Sequence, residues 1–365
     1  VKTVAIAGAG IIGLSIALEL AARGLQVTVF ERGRVMQQAS WAAAGMLAAN
    51  DPENPAELAS FSLFSLACYP DFLAKLNDVP FLTMQTLQIV EANNANGRAL
   101  RPEEAVRRVP GLRLEPGHAA LWLNEHSLDP RALGFALSIA VQAAGVSIRE
   151  NTPVLSAEEQ GTGIVLNTAQ GSFDFDALVV TTGAWASENA DPSLHHLPSD
   201  SVHPRKGQML RLRQPEGTNL TTVLRSPSIY IVPRGNGSLI VGATVEDSGF
   251  DRTIRDDASS WLLDQASRLW SPFKDLRNDQ IEAVWTGLRP VTADQLPVIG
   301  SLNHPRVLFA TGHYRNGILL APGTAKLIAS LLFHETPPID LRPFHPSRLL
   351  HLTTVEQAAQ EAVSL

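Results

Sequence analysis

Val4-Ala5-Ile6-Ala7-Gly8-Ala9-Gly10-Ile11-Ile12-Gly13 is the stretch on which the fold turns. The first four residues are a short apolar run that stops at glycine, the pattern of a strand buried on both faces. Ile12 to Arg23 then carries Leu14, Ala17, Leu18 and Ala21 at helical spacing, and Gly24 is placed to end that helix in a left-handed cap. Gln26 to Phe30 reads as a second strand, which completes a βαβ unit. Gly8, Gly10 and Gly13 form G-x-G-x-x-G between strand and helix, and Glu31 follows about 20 residues later. Each position has a mechanical reason. Gly8 permits the tight turn, Gly10 lets backbone approach a pyrophosphate, and Gly13 lets helix and strand pack closely. The helix N-terminus offers free N–H groups and partial positive charge. Glu31 accepts hydrogen bonds from both ribose hydroxyls and repels a 2′-phosphate, which disfavours NADP. A glycine turn without a ligand is the plainer alternative; strand, loop, helix and acid in register weigh against it. The motif does not separate FAD from NAD.

Outward from this unit, the pattern returns. Asp129 is suited to cap a helix and Pro130 to begin it; Leu133, Leu137, Ala140 and Val141 form its stripe, and Gly145 closes it. Val146 to Arg149 follows as a strand. Thr162 to Thr168 and Ser172 to Val180 read as strands joined at Gln170-Gly171. Residues 203–245 are strand-rich, and Arg234-Gly235-Asn236-Gly237 marks a hairpin between Ile229–Val232 and Ser238–Val241. Trp261 to Trp270 is an amphipathic helix. Val307 to Ala310, a glycine-marked turn and a helix over Ile318 to Phe333 repeat the style of the opening. The expected fold is α/β: a Rossmann-like cofactor domain interleaved with an antiparallel-sheet α+β substrate domain. The expected boundaries are 1–78, 129–200 and 287–342 for the first domain and 79–128 and 201–286 for the second. Residues 343–365 form a tail with a short helix over Thr354 to Val363.

Composition narrows the class. Of 365 residues, 45% are hydrophobic, so the chain is not disordered, and the length suits about two domains. One cysteine makes no internal disulfide and no structural zinc cluster, and the ten histidines lack metal-ligand spacing, so no metal is expected. The net charge of −7 argues against nucleic-acid and polybasic membrane-surface roles. No apolar run approaches the roughly 18 to 20 residues of a membrane span. The opening residues lack the pattern of a signal peptide, so the expected location is the cytoplasm.

Two further segments bear on the cofactor. Ala39-Ser40-Trp41-Ala42-Ala43-Ala44-Gly45-Met46-Leu47 is rich in small residues, which leaves room for a cofactor along the backbone or for close helix packing. Leu178 to Trp185 ends a strand at Gly183, which is either a second place for backbone to approach the cofactor or a plain strand end. With the opening motif, Gly287-Leu288-Arg289-Pro290 and the block Gly312-His313-Tyr314-Arg315-Asn316-Gly317-Ile318-Leu319-Leu320-Ala321-Pro322, these segments resemble the FAD-dependent D-amino-acid oxidase superfamily. Within it they are most similar to the glycine oxidase branch tied to thiamine biosynthesis. The resemblance runs from residue 4 to about 342.

The resemblance implies non-covalent FAD, since Cys68 lies far from the positions where some relatives attach flavin; Cys68 itself reads as a buried small hydrophobe. It implies FAD contacts at Gly8, Gly10, Ile11, Ile12 and Gly13, at Glu31 and Arg32 by the adenosine, and at Ala39, Ser40, Ala44, Gly45 and Met46 along the pyrophosphate and ribityl chain. Val154 is implied at the adenine, Gly183 at a second backbone approach, and His313, Tyr314, Arg315, Asn316, Gly317, Ile318 and Leu319 at the isoalloxazine. Arg289, in a loop, is the implied carboxylate anchor, with Arg315 near the amine and Tyr230 adding a hydrogen bond. The implied reaction is oxidative deamination of glycine or a small amine-bearing carboxylate such as sarcosine, N-ethylglycine or a small D-amino acid. Hydride passes to flavin N5, and O2 is reduced to H2O2. Ser228 and Val245 depart from relatives at positions implied to shape the pocket. A same-fold dehydrogenase using a quinone or protein acceptor, and a catalytically silent FAD-binding subunit, are the alternatives. Relatives form homotetramers, so a homo-oligomer is expected.

Overall fold

The computed structural model describes residues 1–95, 97–188, 197–274, 276 and 280–350. The expected helix over Thr354 to Val363 lies outside them. Three layers form around the opening unit. A six-stranded sheet runs in the order Val298–Ser301, Val307–Thr311, Ala177–Val180, Thr3–Ala7, Gln26–Phe30, Ser147–Arg149. Its first pair is antiparallel and all its other pairs are parallel. Strand Thr3–Ala7 after its first residue, and strand Ala177–Val180 throughout, are apolar and buried because both faces are covered. On one face lie the helices Ile11–Ala22, Pro130–Ala143 and Gly317–Leu332, which join Val4, Ile6, Val27 and Val29 in the largest apolar core. On the other lies a three-stranded antiparallel sheet, Val154–Gln160, Gly163–Thr168 and Gly171–Phe175. Phe173 and Phe175 meet Phe30 with ring centroids 5.4 and 5.8 Å apart.

The helix ends follow the sequence closely. Gly24 takes φ +86° after Ile11–Ala22, and Gly145 takes φ +80° after Pro130–Ala143. Asp129 accepts the Arg131 amide at 2.9 Å, a cap worth about 1 kcal/mol. The expected strand Ser172 to Val180 is instead two strands in different sheets. Asp176 makes the corner: its carboxylate takes the Lys2 and Thr3 amides at 2.5 and 3.0 Å, which ties the turn to the first strand. The helix expected from Trp261 begins earlier, at Asp256, with Asp256 and Asp257 in its first turn.

A seven-stranded sheet forms the second body, in the order Ile281–Val291, His203–Arg213, Ser238–Gly242, Tyr230–Pro233, Val223–Arg225, Thr86–Glu91, His118–Leu123. All neighbours are antiparallel except Val223–Arg225 with Thr86–Glu91. Leu262, Leu263 and Ala266 of helix Asp256–Leu269 join its core. The expected boundary at 287 falls inside strand Ile281–Val291, so residues 287–291 belong to this sheet. Arg289 is therefore on a strand, not in a loop. Pro290, which suggested a loop, sits directly opposite Pro204 near the ladder's end, where a missing N–H is tolerated. No helix among the described residues is long and apolar enough to cross a membrane.

The helix Gly317–Leu332 contains Pro322, which supplies no N–H to the Ile318 carbonyl. Tyr69 Oη fills that vacancy by donating to Ile318 O at 2.5 Å. Ser65 Oγ enters the next rung, donating to Leu319 O at 2.7 Å and accepting the Gly323 amide at 2.9 Å. The helix is opened at its first turns and sealed from outside.

Candidate active site

A cavity of about 420 Å³ runs from the carboxyl ends of the parallel strands to the face of the seven-stranded sheet. Such a crevice, beside the point where strand order reverses about Thr3–Ala7, is where open α/β sheets hold ligands. At one end stand Glu31, Arg32 and Val154, in the middle Gly8 to Ile12, Ala39, Ser40 and Ala42 to Met46, and at the other Tyr230, Arg289 and His313 to Ile318.

The glycine loop is shaped by close packing. Gly8 adopts φ +108° and its amide donates to Phe30 O at 2.7 Å. A Cβ on Gly13 would run into Gly8 O and lie 2.7 Å from Thr181 Oγ1, so only glycine lets the helix sit this close. Gly10 caps the helix without a side chain, which leaves the first-turn donors facing the cavity. Ser40 Oγ takes one of them, the Ile11 amide, at 3.0 Å. Glu31 is buried and accepts the Ala9 amide through Oε2 at 2.8 Å and the Gly33 amide through Oε1 at 2.9 Å. Each carboxylate oxygen keeps a second acceptor position for a ligand hydroxyl. A helix N-terminus for an anion, with a carboxylate beyond it for hydroxyls, is the donor set that a dinucleotide needs. The residues present therefore fit FAD.

At the opposite end the turn 312–316 is tight. Gly312 has φ +72°, Tyr314 has φ +45°, and the Tyr314 amide donates to Pro290 O at 2.8 Å. The turn is thereby locked to the strand that carries Arg289. His313 is buried, with Nε2 3.0 Å from Thr324 Oγ1; burial pushes its imidazole down to about 3, so it is neutral. Arg289 donates to Lys206 O at 3.4 Å and Thr244 O at 3.3 Å, and no acid lies within ion-pair distance of it among the described residues. A Cβ on Gly207 would lie 2.6 Å from Arg289 Cζ and nearer still to both terminal nitrogens. A Cβ on Gly242 would lie 2.6 Å from Tyr230 Oη. Two strand glycines thus clear the space that these two side chains occupy. Burial pushes the Tyr230 phenol up against the opposing pull of Arg289 and Arg315, so the hydroxyl stays protonated.

All the residues expected at the site line the cavity except Gly13 and Leu319. Gly13 acts in packing. Leu319 is buried behind the wall, with its carbonyl held by Ser65, because the helix turns that residue toward the core. Val245 is 61% exposed and Ser228 is also exposed; neither lines the cavity, so neither shapes it directly. Cys68 is half-buried rather than buried. Sequence reading missed Asp51, which lines the cavity, and Gly207. The glycine inside the strand-rich segment that holds His203–Arg213 was the available signal for close approach. Asp51 sits among turn residues with no distinguishing pattern.

The family model of FAD-dependent oxidoreductases named DAO matches residues 3–331. The chain is 38% identical over 373 residues to the bifunctional protein ThiO/ThiG of Nostoc sp., covering 95% of this chain and 55% of that protein. It is 33% identical over 378 residues to the glycine oxidase of Geobacillus kaustophilus, covering 97% and 98%. The chain therefore spans about half the length of the bifunctional relatives and nearly all of the other. The crystal structure of glycine oxidase from Geobacillus kaustophilus superposes with TM-score 0.84 at 32% identity, over 94% of this chain and 98% of that one. L-proline dehydrogenase from P. horikoshii also reaches TM-score 0.84, at 20% identity over 96% and 98%, which shows the fold alone.

Proposed function

The chain belongs to the DAO family of FAD-dependent oxidoreductases, and from that premise we propose that it oxidises glycine or a small amine-bearing monocarboxylate. The observation that carries this reading is Arg289: a guanidinium on the cavity wall, held in place by two backbone carbonyls and free of any described acid. A planar guanidinium grips a carboxylate through two parallel hydrogen bonds and so fixes orientation as well as charge. Tyr230, protonated at neutral pH, donates a third hydrogen bond to the same carboxylate. The positive charge of Arg289 lowers the pKa of a bound amine and favours its neutral form. FAD, when bound, supplies the two-electron oxidation of the amine-bearing carbon. The residues that would hold it are the glycine loop, Glu31, Ser40 and the turn 312–318. The N-terminus of helix Gly317–Leu332 lines the same wall, where its N–H groups stabilise negative charge. Neutral His313 adds no competing charge. Orientation and electrostatics are then the chain's main contributions. We place O2 as the electron acceptor, with H2O2 released, and carry over glycine as first candidate from the likeness to glycine oxidases and a place in thiamine biosynthesis from the likeness to the ThiO/ThiG proteins.

An anaerobic screen of the yellow holoenzyme tests this reading. Glycine, sarcosine, N-ethylglycine and small D- and L-amino acids are added in turn, and flavin absorbance is followed. At least one amine bearing a single carboxylate should bleach the flavin, and readmitted oxygen should give peroxide in equal amount. Bleaching by none of them would overturn the proposal, and bleaching without peroxide would replace the oxidase by a dehydrogenase.

A further inference from the structure

The charges at the Arg289 end of the cavity do not match a site built to bind two anions. Arg315 lines the wall, but its guanidinium is already engaged: Nη1 meets Glu53 Oε2 at 2.7 Å and Nη2 lies 3.9 Å from Asp51 Oδ2. Asp51 also lines the wall, is nearly buried, and stands 3.7 Å from Arg225 Nε behind it. Arg225 is fully buried and pairs with Glu125 at 3.1 Å. Glu125 in turn accepts the Asn50 amide at 3.0 Å, which fixes the chain one residue before Asp51. On the other side of Glu53, Asn316 Nδ2 donates to Asn54 Oδ1 at 2.9 Å. Segment 50–54 is therefore tied both to the buried pair and to the turn beside the substrate end.

Counting the groups in this network gives two cations, Arg225 and Arg315, against three carboxylates, Asp51, Glu53 and Glu125. The network has no positive charge to spare. Of the two arginines that line this end of the cavity, Arg289 is the one with no carboxylate partner among the described residues, and it suffices for one carboxylate. A second carboxylate on the substrate would have to approach an Arg315 that Glu53 already engages and that Asp51 flanks on the cavity wall, and like charges placed together are a strong device for rejecting a wrong partner.

We propose that Asp51 and Glu53 are specificity-determining residues that admit amines bearing one carboxylate and exclude those bearing two, such as N-carboxymethyl amino acids and acidic amino acids. This rests on the reading that Arg289 takes the substrate carboxylate. Sarcosine and iminodiacetate make a clean pair, because they differ by one carboxylate on the N-methyl group. The holoenzyme should prefer sarcosine by about 100-fold in kcat/KM, and Glu53→Gln should shrink that ratio about tenfold by freeing Arg315. Asp51→Asn is the second variant, with a change in the same direction. As a readout independent of turnover, flavin absorbance is titrated with acetate and with malonate; wild type should bind acetate more tightly, and both variants should gain affinity for malonate relative to acetate. A wild-type ratio near one, or a ratio unmoved in both variants while sarcosine is oxidised, overturns the proposal. If no small amine is oxidised, the functional reading fails instead, and the acetate and malonate titrations still decide whether Asp51 and Glu53 select by charge.

Discussion

Gly207→Ala is the most direct test of how Arg289, the proposed carboxylate anchor, is held. Gly207 pairs with Gly287 across the ladder, and Arg289 lies two residues along the same strand as Gly287. Gly207 and Arg289 are thus diagonal neighbours on one face of the sheet, within reach for a long side chain. A Cβ on Gly207 would meet Cζ at 2.6 Å and both terminal nitrogens at less. Ordinary carbon contacts begin near 3.5 Å, so the guanidinium must move by about 1 Å. The backbone of Gly207 has little freedom to give way, since its strand is paired on both sides. The arginine head is the softer partner and should shift. A displacement of that size in a positioning group costs on the order of 100-fold in rate, or about 2.7 kcal/mol. The assay is steady-state kcat/KM on the best substrate of the reduction screen, with FAD content measured beside it. The expected result is a loss of about 100-fold with FAD retained. A variant that keeps FAD and stays within threefold of wild type would refute the reasoning, because Arg289 would then not depend on the cleared space.

Two more perturbations probe the cofactor side. Tyr69→Phe leaves the Ile318 carbonyl buried without a donor, because Pro322 has no N–H to offer; stability should fall by about 1–3 kcal/mol in a denaturant titration of the apoprotein, and an unchanged midpoint would show that the helix reseals itself. Glu31→Gln turns an NH2 toward one of the two backbone amides that the carboxylate accepts, so FAD affinity measured by fluorescence quenching should weaken about 10- to 100-fold, and an unaltered Kd would remove Glu31 from the binding set.

The legible parts of this chain are those where one residue has one local job. Gly8, Gly13, Gly24, Asp129 and Gly145 each announce a turn, a close packing or a cap, and the elements around them lie where the sequence places them. Boundaries set by distant partners were not legible. The run from Ser172 to Val180 reads as one strand, and the hydrogen bonds from Lys2 and Thr3 to Asp176, over 170 residues away in sequence, mark where it is split between two sheets. Pro290 reads locally as a loop, yet pairing with His203–Arg213 carries the strand through it. Asp51 and Glu53 carried no signal for the same reason: their meaning comes from Arg225 and Arg315, which the fold brings from far along the chain.

A common principle links the missed residues to the expected ones. Arg289, Tyr230 and the turn 312–316 could be named from chemistry, but what aims them is the absence of ordinary groups elsewhere. Gly207 lacks the side chain that would collide with Arg289, and Gly242 lacks the one that would collide with Tyr230. Pro322 lacks the N–H that would close the helix on itself, so Tyr69 and Ser65 tie the first turns of that helix to the neighbouring helices. Absences of this kind cost strand or helix stability when taken alone. Their position beside the cavity indicates that the cost is offset by holding a guanidinium, a phenol and a helix N-terminus on the wall of one cavity. That arrangement also explains why the site sits across two sheets. Each sheet supplies rigid neighbours, and the tie between Tyr314 N and Pro290 O keeps the two sets in register.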